Sequence, residues 1–130
     1  MSDVQVNYGP GPVESPSRKV VKDANRIVIA TDERGRKLGI KRMTSGLASF
    51  RLTRILGPDA GNRSLLAQAM MYVTVISIDG DPVPFPRTEL QLEALIDRLD
   101  LAGFHLIQKV QQEEFGIGQT REEQDEEAKN

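Results

Sequence analysis

Residues 26–41, RIVIATDERGRKLGIK, decide the fold class of this chain. The first six residues are mostly β-branched, and the last five alternate polar and apolar side chains or glycine. Both patterns are typical of short β-strands. The intervening Asp32-Glu33-Arg34-Gly35-Arg36 has the composition of a turn. The stretch therefore predicts a β-hairpin with a loop of about five residues.

A first helix is predicted directly after this hairpin and ends at Leu56. Thr44 or Ser45 can cap its start, and Gly57-Pro58 stops it. We expect its apolar side chains to point inward, and these are Leu47, Phe50, Leu52, Ile55 and Leu56.

A second helix and a strand are predicted next. Asn62 is a suitable N-cap, and the following apolar residues have the i, i+3, i+4, i+7 spacing of one helix face: Leu66, Ala69, Met70 and Val73. From about Tyr72 the composition becomes β-branched and predicts a short strand that ends at Asp79-Gly80. Periodicity alone leaves the helix-to-strand boundary open.

The segment 82–110 predicts an extended connector followed by two more helices. Prolines at 82, 84 and 86 forbid a helix and leave Phe85 projecting. Thr88 and Gln91 form a capping-box pair for a helix whose apolar face is Leu92, Leu95, Ile96 and Leu99. Gly103 is expected to end that helix, and a final one carries Phe104, Ile107 and Val110.

The whole pattern predicts a small single α+β domain with an N-terminal hairpin, about four helices, one further short strand and disordered termini. We expect a flexible arm over residues 1–24, the folded domain over 25–112 and a disordered acidic tail over 113–130. The arm is rich in Gly and Pro, and the tail has seven acidic and two basic side chains.

Composition excludes several classes of site. The chain has no Cys and one His, which rules out thiolate and multi-histidine metal sites. No catalytic motif surrounds His105, which we expect to be a partly buried helix residue, and Asp79 and Asp81 are expected to shape a turn. We therefore predict a non-enzymatic protein without metal or cofactor. No secretion signal or membrane segment is recognisable, so we expect a cytoplasmic location.

Charge is unevenly distributed along the chain. Residues 26–63 contain nine basic and three acidic side chains, whereas the total net charge is −2. The basic region could neutralise a nucleic-acid backbone, although the acidic total and the missing stacking motifs count against that use. It could instead form a complementary protein surface with apolar helix faces, or serve only solubility.

The order of these pieces resembles the tail assembly chaperones of long-tailed bacteriophages and prophages. The resemblance lies in the hairpin loop Asp32-Glu33-Arg34-Gly35-Arg36, in Leu52-Thr53-Arg54-Ile55-Leu56-Gly57, in residues 69–76 and in IDGDPVPFPRTELQLEALIDRLDLAGF at 78–104. It covers about two thirds of the chain, residues 25–112.

This resemblance implies a function in tail assembly. Such chaperones bind the newly made tape measure protein, keep it soluble in the host cytoplasm, recruit tail tube subunits and are absent from the mature virion. A homo-oligomer is also possible. The alternatives are a structural tail or neck component that stays in the virion, and a small nucleic-acid-binding regulator that uses residues 26–63.

Candidate partner-binding residues follow from the apolar faces and the basic region. We predict an apolar patch, or its support, and a charged rim: Phe85, Leu92, Leu95, Ile96 and Phe104 for the first, and Arg51, Arg54 and Arg63 for the second. Met43, Met70 and Met71 could line an adaptable groove for an amphipathic partner helix.

Overall fold

The computed structural model describes residues 5–7, 25–43 and 46–117, with the backbone alone at 5–7. Its strands are β1 (Gln5–Asn7), β2 (Ile27–Thr31), β3 (Lys37–Lys41), β4 (Val75–Ile78) and β5 (Asp81–Pro82). Its helices are α1 (Gly46–Leu56), α2 (Arg63–Tyr72) and α3 (Glu89–Glu113), with a 3₁₀ turn at Gly57–Gly61 between α1 and α2.

The strands form one antiparallel sheet in the order β1-β2-β3-β4-β5. The predicted small α+β fold is therefore confirmed, and the predicted hairpin is β2 and β3 with the loop 32–36. β1 lies within the stretch predicted as a flexible arm, and β5 is a two-residue addition at the opposite edge. The remainder of that arm, the tail from 118 onward and the caps proposed at Thr44 or Ser45 lie outside the described residues.

The helices cover one face of the sheet. Alternate residues of β2 and β3 are buried on that face, as the period of a strand requires: Val28, Ala30, Leu38 and Ile40. They join one hydrophobic core with the inward residues of α3, which include Leu92, Leu99, Ile107 and Val110. α3 packs on β2, β3 and α2, and α1 packs on α2. The arrangement is a two-layer fold with a single core.

Local capping chemistry places two of the helices where the sequence predicts them. The Asn62 side chain accepts a hydrogen bond from the Leu65 amide at 3.1 Å at the start of α2. The Thr88 hydroxyl accepts one from the Gln91 amide at 3.1 Å at the start of α3. Each cap satisfies a helix N–H that has no intrahelical partner.

The predicted helix stop at Gly103 is wrong. Gly103 lies inside α3, and the break in this helix is a kink at Asp100, whose φ of 55° and ψ of −160° are non-helical. Gly103 is present because of close packing: a Cβ there would lie 2.8 Å from the Cβ of Leu99. The sequence was correct that this position requires glycine, but the reason is close packing and not the end of the helix. A sequence alone does not distinguish these two uses of glycine.

The kink is held by the loop of the β2–β3 hairpin. The Arg36 guanidinium donates to the carbonyl oxygens of Arg98 and, at 3.0 Å, of Leu99, the two residues directly before the kink. The Tyr72 hydroxyl donates to the Asp100 carbonyl at 3.2 Å. Burial, and then the charge of Asp100, raise the pKa of this tyrosine, so it remains a neutral donor.

Asp100 is expected to be a strained residue whose replacement by glycine stabilises the protein. A non-glycine residue in such backbone geometry costs about 1–3 kcal/mol. Glycine removes that strain but adds about 0.5–1 kcal/mol of unfolded-state entropy and loses the exposed Arg34–Asp100 ion pair, worth about 0–1 kcal/mol. We expect Asp100→Gly to raise the unfolding free energy by roughly 0.5–1 kcal/mol in urea titrations. The control Arg34→Ala measures the loss of the ion pair alone. If Asp100→Gly were less stable than Arg34→Ala, Asp100 would not be a strained residue.

Candidate interaction surface

One face of α1 carries two large apolar side chains that remain exposed. Leu47 is 56% exposed and Phe50 is 60% exposed, whereas Leu52 and Leu56 of the same helix are buried. The prediction that Leu47 and Phe50 point inward is therefore wrong. With 3.6 residues per turn, Phe50 lies about 160° around the helix from Leu52, so one helix cannot bury both against the same neighbour.

Two arginines share this exposed face of α1. Residues 47, 50, 51 and 54 follow the i, i+3, i+4, i+7 spacing that places side chains along one stripe. The Arg54 guanidinium lies over the Phe50 ring, 5.9 Å from its centroid. An arginine over an aromatic face gains cation–π attraction while its N–H groups remain available.

The proline-containing connector at 83–87 lies beside α1. It is held at both ends, because the Val83 amide donates to the Ile76 carbonyl and the Arg87 amide donates to the Gln91 side chain, both at 2.8 Å. Phe85 is partly buried against the core, and the Arg51 guanidinium lies over its ring, 5.6 Å from the centroid. The connector thus presents an aromatic ring directly to α1.

Two open grooves run along the two sides of this connector. The groove toward α1 has a volume of about 610 Å³ and is lined by Arg51, Arg54, Ile55 and the connector residues 84–87. The groove toward α3 has a volume of about 470 Å³, and its lining includes Gln91, Ala94, Leu95 and Arg98. Both have room for side chains from a partner.

The arginines around these grooves form no ion pair with any residue that the structure describes. They are Arg51, Arg54, Arg87 and Arg98, and all four are exposed. Arginines of the hairpin differ, since Arg26, Arg34 and Arg36 pair with Glu114, Asp100 and Asp32. We refer to Leu47, Phe50, Arg51, Arg54, Phe85 and Arg87 as the α1–connector surface.

Three of the eight predicted partner-binding residues meet at this surface: Arg51, Arg54 and Phe85. Leu92 is buried in the core, Leu95 is buried at the base of the groove toward α3, and Ile96 and Phe104 are partly buried. The Phe104 ring packs on Tyr72 with centroids 5.4 Å apart. Arg63, the first residue of α2, lines neither groove within the described chain.

Sequence reasoning missed Leu47, Phe50 and Arg87 as members of the surface. A helical projection of residues 46–56 would have separated Leu47 and Phe50 from Leu52, so a signal for these two was present. Of the three methionines predicted to line an adaptable groove, Met43 and Met70 line a crevice of about 10 Å³, and Met71 is partly buried against the core. That space is about one water molecule in size and admits no partner side chain.

His105 lies on the surface, and Asp79 lies in a turn. His105 is exposed rather than partly buried, and its Nδ1 lies 3.6 Å from the Glu33 carboxylate. Asp79 and Gly80 form the β4–β5 turn with φ values of 51° and 87°, the geometry of a type I′ hairpin turn. Over residues 25–43 and 46–117, no three His, Asp or Glu side chains form a group that could hold a metal ion.

None of the described helices combines the length and apolar character needed to cross a membrane.

Comparison with known proteins found no similar protein: no protein-family model, curated protein or solved structure matches this chain.

Proposed function

We propose that this protein is a non-enzymatic phage tail assembly chaperone. In this role it binds the tape measure protein in the host cytoplasm, keeps it soluble, recruits tail tube subunits and leaves before the virion is complete. The family assignment rests on the resemblance of residues 25–112. The observation in the structure that supports it best is the exposure of Leu47 and Phe50 beside Arg51 and Arg54.

Exposed apolar side chains of this kind are unfavourable in water, and a binding function explains why they are present. Large apolar residues grouped on one exposed helix face favour association and mark interaction sites. An aromatic residue flanked by arginines is also a composition enriched in interface hot spots. A client with long apolar helices needs such a surface to keep it from aggregating, and reversible binding requires no catalytic group.

Co-expression tests the proposal. We expect the chain to raise severalfold the soluble yield of a tape measure protein, the long helical client that the resemblance places immediately downstream of its gene. Leu47→Ser/Phe50→Ser is expected to abolish that gain, because it removes the apolar contact while leaving the core intact. The matched control is Leu90→Ser/Leu101→Ser, which changes two exposed leucines of α3 and is expected to retain the gain.

Three results would contradict the proposal. The first is a client yield that does not depend on co-expression, and the second is an equal reduction of that yield by both double variants. The third is abundant chain in purified virions by mass spectrometry, which would favour a structural tail or neck component.

A further inference from the structure

We infer that the α1–connector surface binds an acidic amphipathic helix of a partner protein. The inference deepens the proposed function and depends on it only for the source of that helix. It specifies the chemistry of the bound segment: carboxylates for the arginines, and apolar side chains for Leu47, Phe50 and Phe85.

Charge complementarity is the first argument. Arg51, Arg54 and Arg87 are exposed around one groove, and none pairs with a carboxylate of a described residue. Of the other described arginines, those at 26, 34 and 36 have acidic partners, whereas Arg42 and Arg63 have none within the described chain but do not line this groove. Adjacent guanidinium groups of like charge favour a ligand that supplies negative charge, and the planar fork of arginine suits carboxylates.

Apolar character is the second argument, and it distinguishes between acidic ligands. Leu47 and Phe50 are each more than half exposed and lie on the same stripe as the arginines. A nucleic acid or a purely acidic segment would satisfy the arginines but leave these side chains in water. The chain's own segment 121–127, REEQDEE, is acidic but has no apolar residue. A helix with glutamates beside leucines matches both components.

The shape of the surface is the third argument. The stripe on α1 has residues at 47, 50, 51 and 54, and connector residues line the groove of about 610 Å³ together with Arg51 and Arg54 of this stripe. Helix-in-groove recognition uses anchors at this same spacing on the partner. The connector is held at Val83 and Arg87, so binding need not order it.

Peptide binding to the full chain tests the inference. The probe is a labelled synthetic helix of about four turns, with leucines at i, i+3, i+4, i+7 and glutamates beside them. Its matched control replaces every Glu by Gln. We expect the acidic peptide to bind with an affinity that falls as salt rises, and the Gln peptide to bind about tenfold more weakly.

Variants locate the site. Arg51→Gln/Arg54→Gln is expected to weaken binding of the acidic peptide about tenfold, and Leu47→Ser/Phe50→Ser is expected to weaken both peptides. Arg63→Gln changes an exposed arginine outside the grooves and is expected to leave affinity unchanged. All these side chains are exposed, and circular dichroism checks that each variant remains folded.

Four results would overturn the inference. The first is that the Gln peptide binds as tightly as the acidic peptide, and the second is that Arg63→Gln weakens binding as much as Arg51→Gln/Arg54→Gln does. The third is that a single-stranded oligonucleotide binds more tightly than the peptide, with the same dependence on the arginines. The fourth is that the affinity for the acidic peptide rises more than about tenfold when the acidic residues at 122, 123 and 125–127 are neutralised. The third would assign the surface to nucleic acid and the fourth to the chain's own tail. Peptide binding without any effect in co-expression would remove the proposed function and leave this inference standing.

Discussion

Replacing Asp32 by alanine is expected to lower the unfolding free energy by about 2–4 kcal/mol, a large effect for one loop residue. The Asp32 side chain is fully buried. It accepts hydrogen bonds from the Arg34 and Arg36 amides and from the Arg36 guanidinium, each at 2.9 Å. The same guanidinium holds the kink of α3, so the substitution releases both the hairpin loop and the helix carbonyls.

Urea unfolding at neutral pH measures this loss as a lower midpoint with an unchanged slope. Glu33→Ala is the matched control, because Glu33 lies in the same loop with its side chain 72% exposed. We expect that variant to remain within about 0.5 kcal/mol of the natural protein. Equal effects of the two substitutions would show that the Asp32 network contributes little.

The same carboxylate predicts a pH dependence. Burial raises the pKa of Asp32, but the hydrogen bonds from Arg36 and Arg34 and the charge of Arg36 outweigh it, so the pKa lies below its ordinary value of 3.8. Its contribution to stability is therefore complete above that value and is lost as the pH falls below it. We expect the difference in unfolding free energy between the natural protein and the Asp32→Asn variant to become smaller as the pH is lowered. A difference independent of pH between neutrality and pH 3 would contradict this assignment.

Replacing Gln111 by leucine is the second change with a large expected effect. Gln111 is 1% exposed, and its amide donates to the Lys41 carbonyl at 2.8 Å and accepts from the Met43 amide at 3.1 Å. It thus satisfies the backbone where β3 ends and the chain turns toward α1. Leucine has a similar size but leaves both groups without a partner, so we expect a loss of about 2–3 kcal/mol.

Two further variants make the Gln111 prediction specific. Gln108→Leu changes an exposed glutamine of the same helix and is expected to have an effect below about 0.5 kcal/mol. Gln111→Glu retains the acceptor but buries a carboxylate, whose pKa burial would raise. A protonated carboxyl could donate to Lys41, so this variant should be less destabilised at mildly acidic pH than at neutral pH. Destabilisation that grows with acidity would contradict the proposed role of the amide.

The α1–connector surface combines the side of α1 that faces away from the core with residues of the connector. Leu52 and Leu56 fix the helix to the core, and this leaves Phe50 and Arg54 on the opposite side. Phe85 lies beside α1 on the connector, which its prolines keep from forming a helix and which hydrogen bonds at Val83 and Arg87 hold at both ends. The surface therefore depends on packing between segments that are about 30 residues apart in sequence.

Several elements were determined by local sequence alone. The β2–β3 hairpin follows from β-branched residues on each side of a turn-forming loop, and the starts of α2 and α3 follow from Asn62 and Thr88. In each case the hydrogen bonds involved join residues near one another in the chain, so their chemistry can be read from spacing. The apolar face of α3 can also be predicted locally, because apolar residues recur along it at spacings of three or four residues.

Only the tertiary structure decided where α3 bends and which apolar residues of α1 are exposed. The bend lies at Asp100, not at Gly103, and Arg36 and Tyr72 from distant elements donate hydrogen bonds to the carbonyls of Leu99 and Asp100 there. Leu47 and Phe50 are exposed because no described segment packs over their side of α1, whereas Leu52 and Leu56 face the core. Local sequence determines which hydrogen bonds and faces a segment can form, but burial depends on which other segment packs against it, and residues far away in the chain decide that.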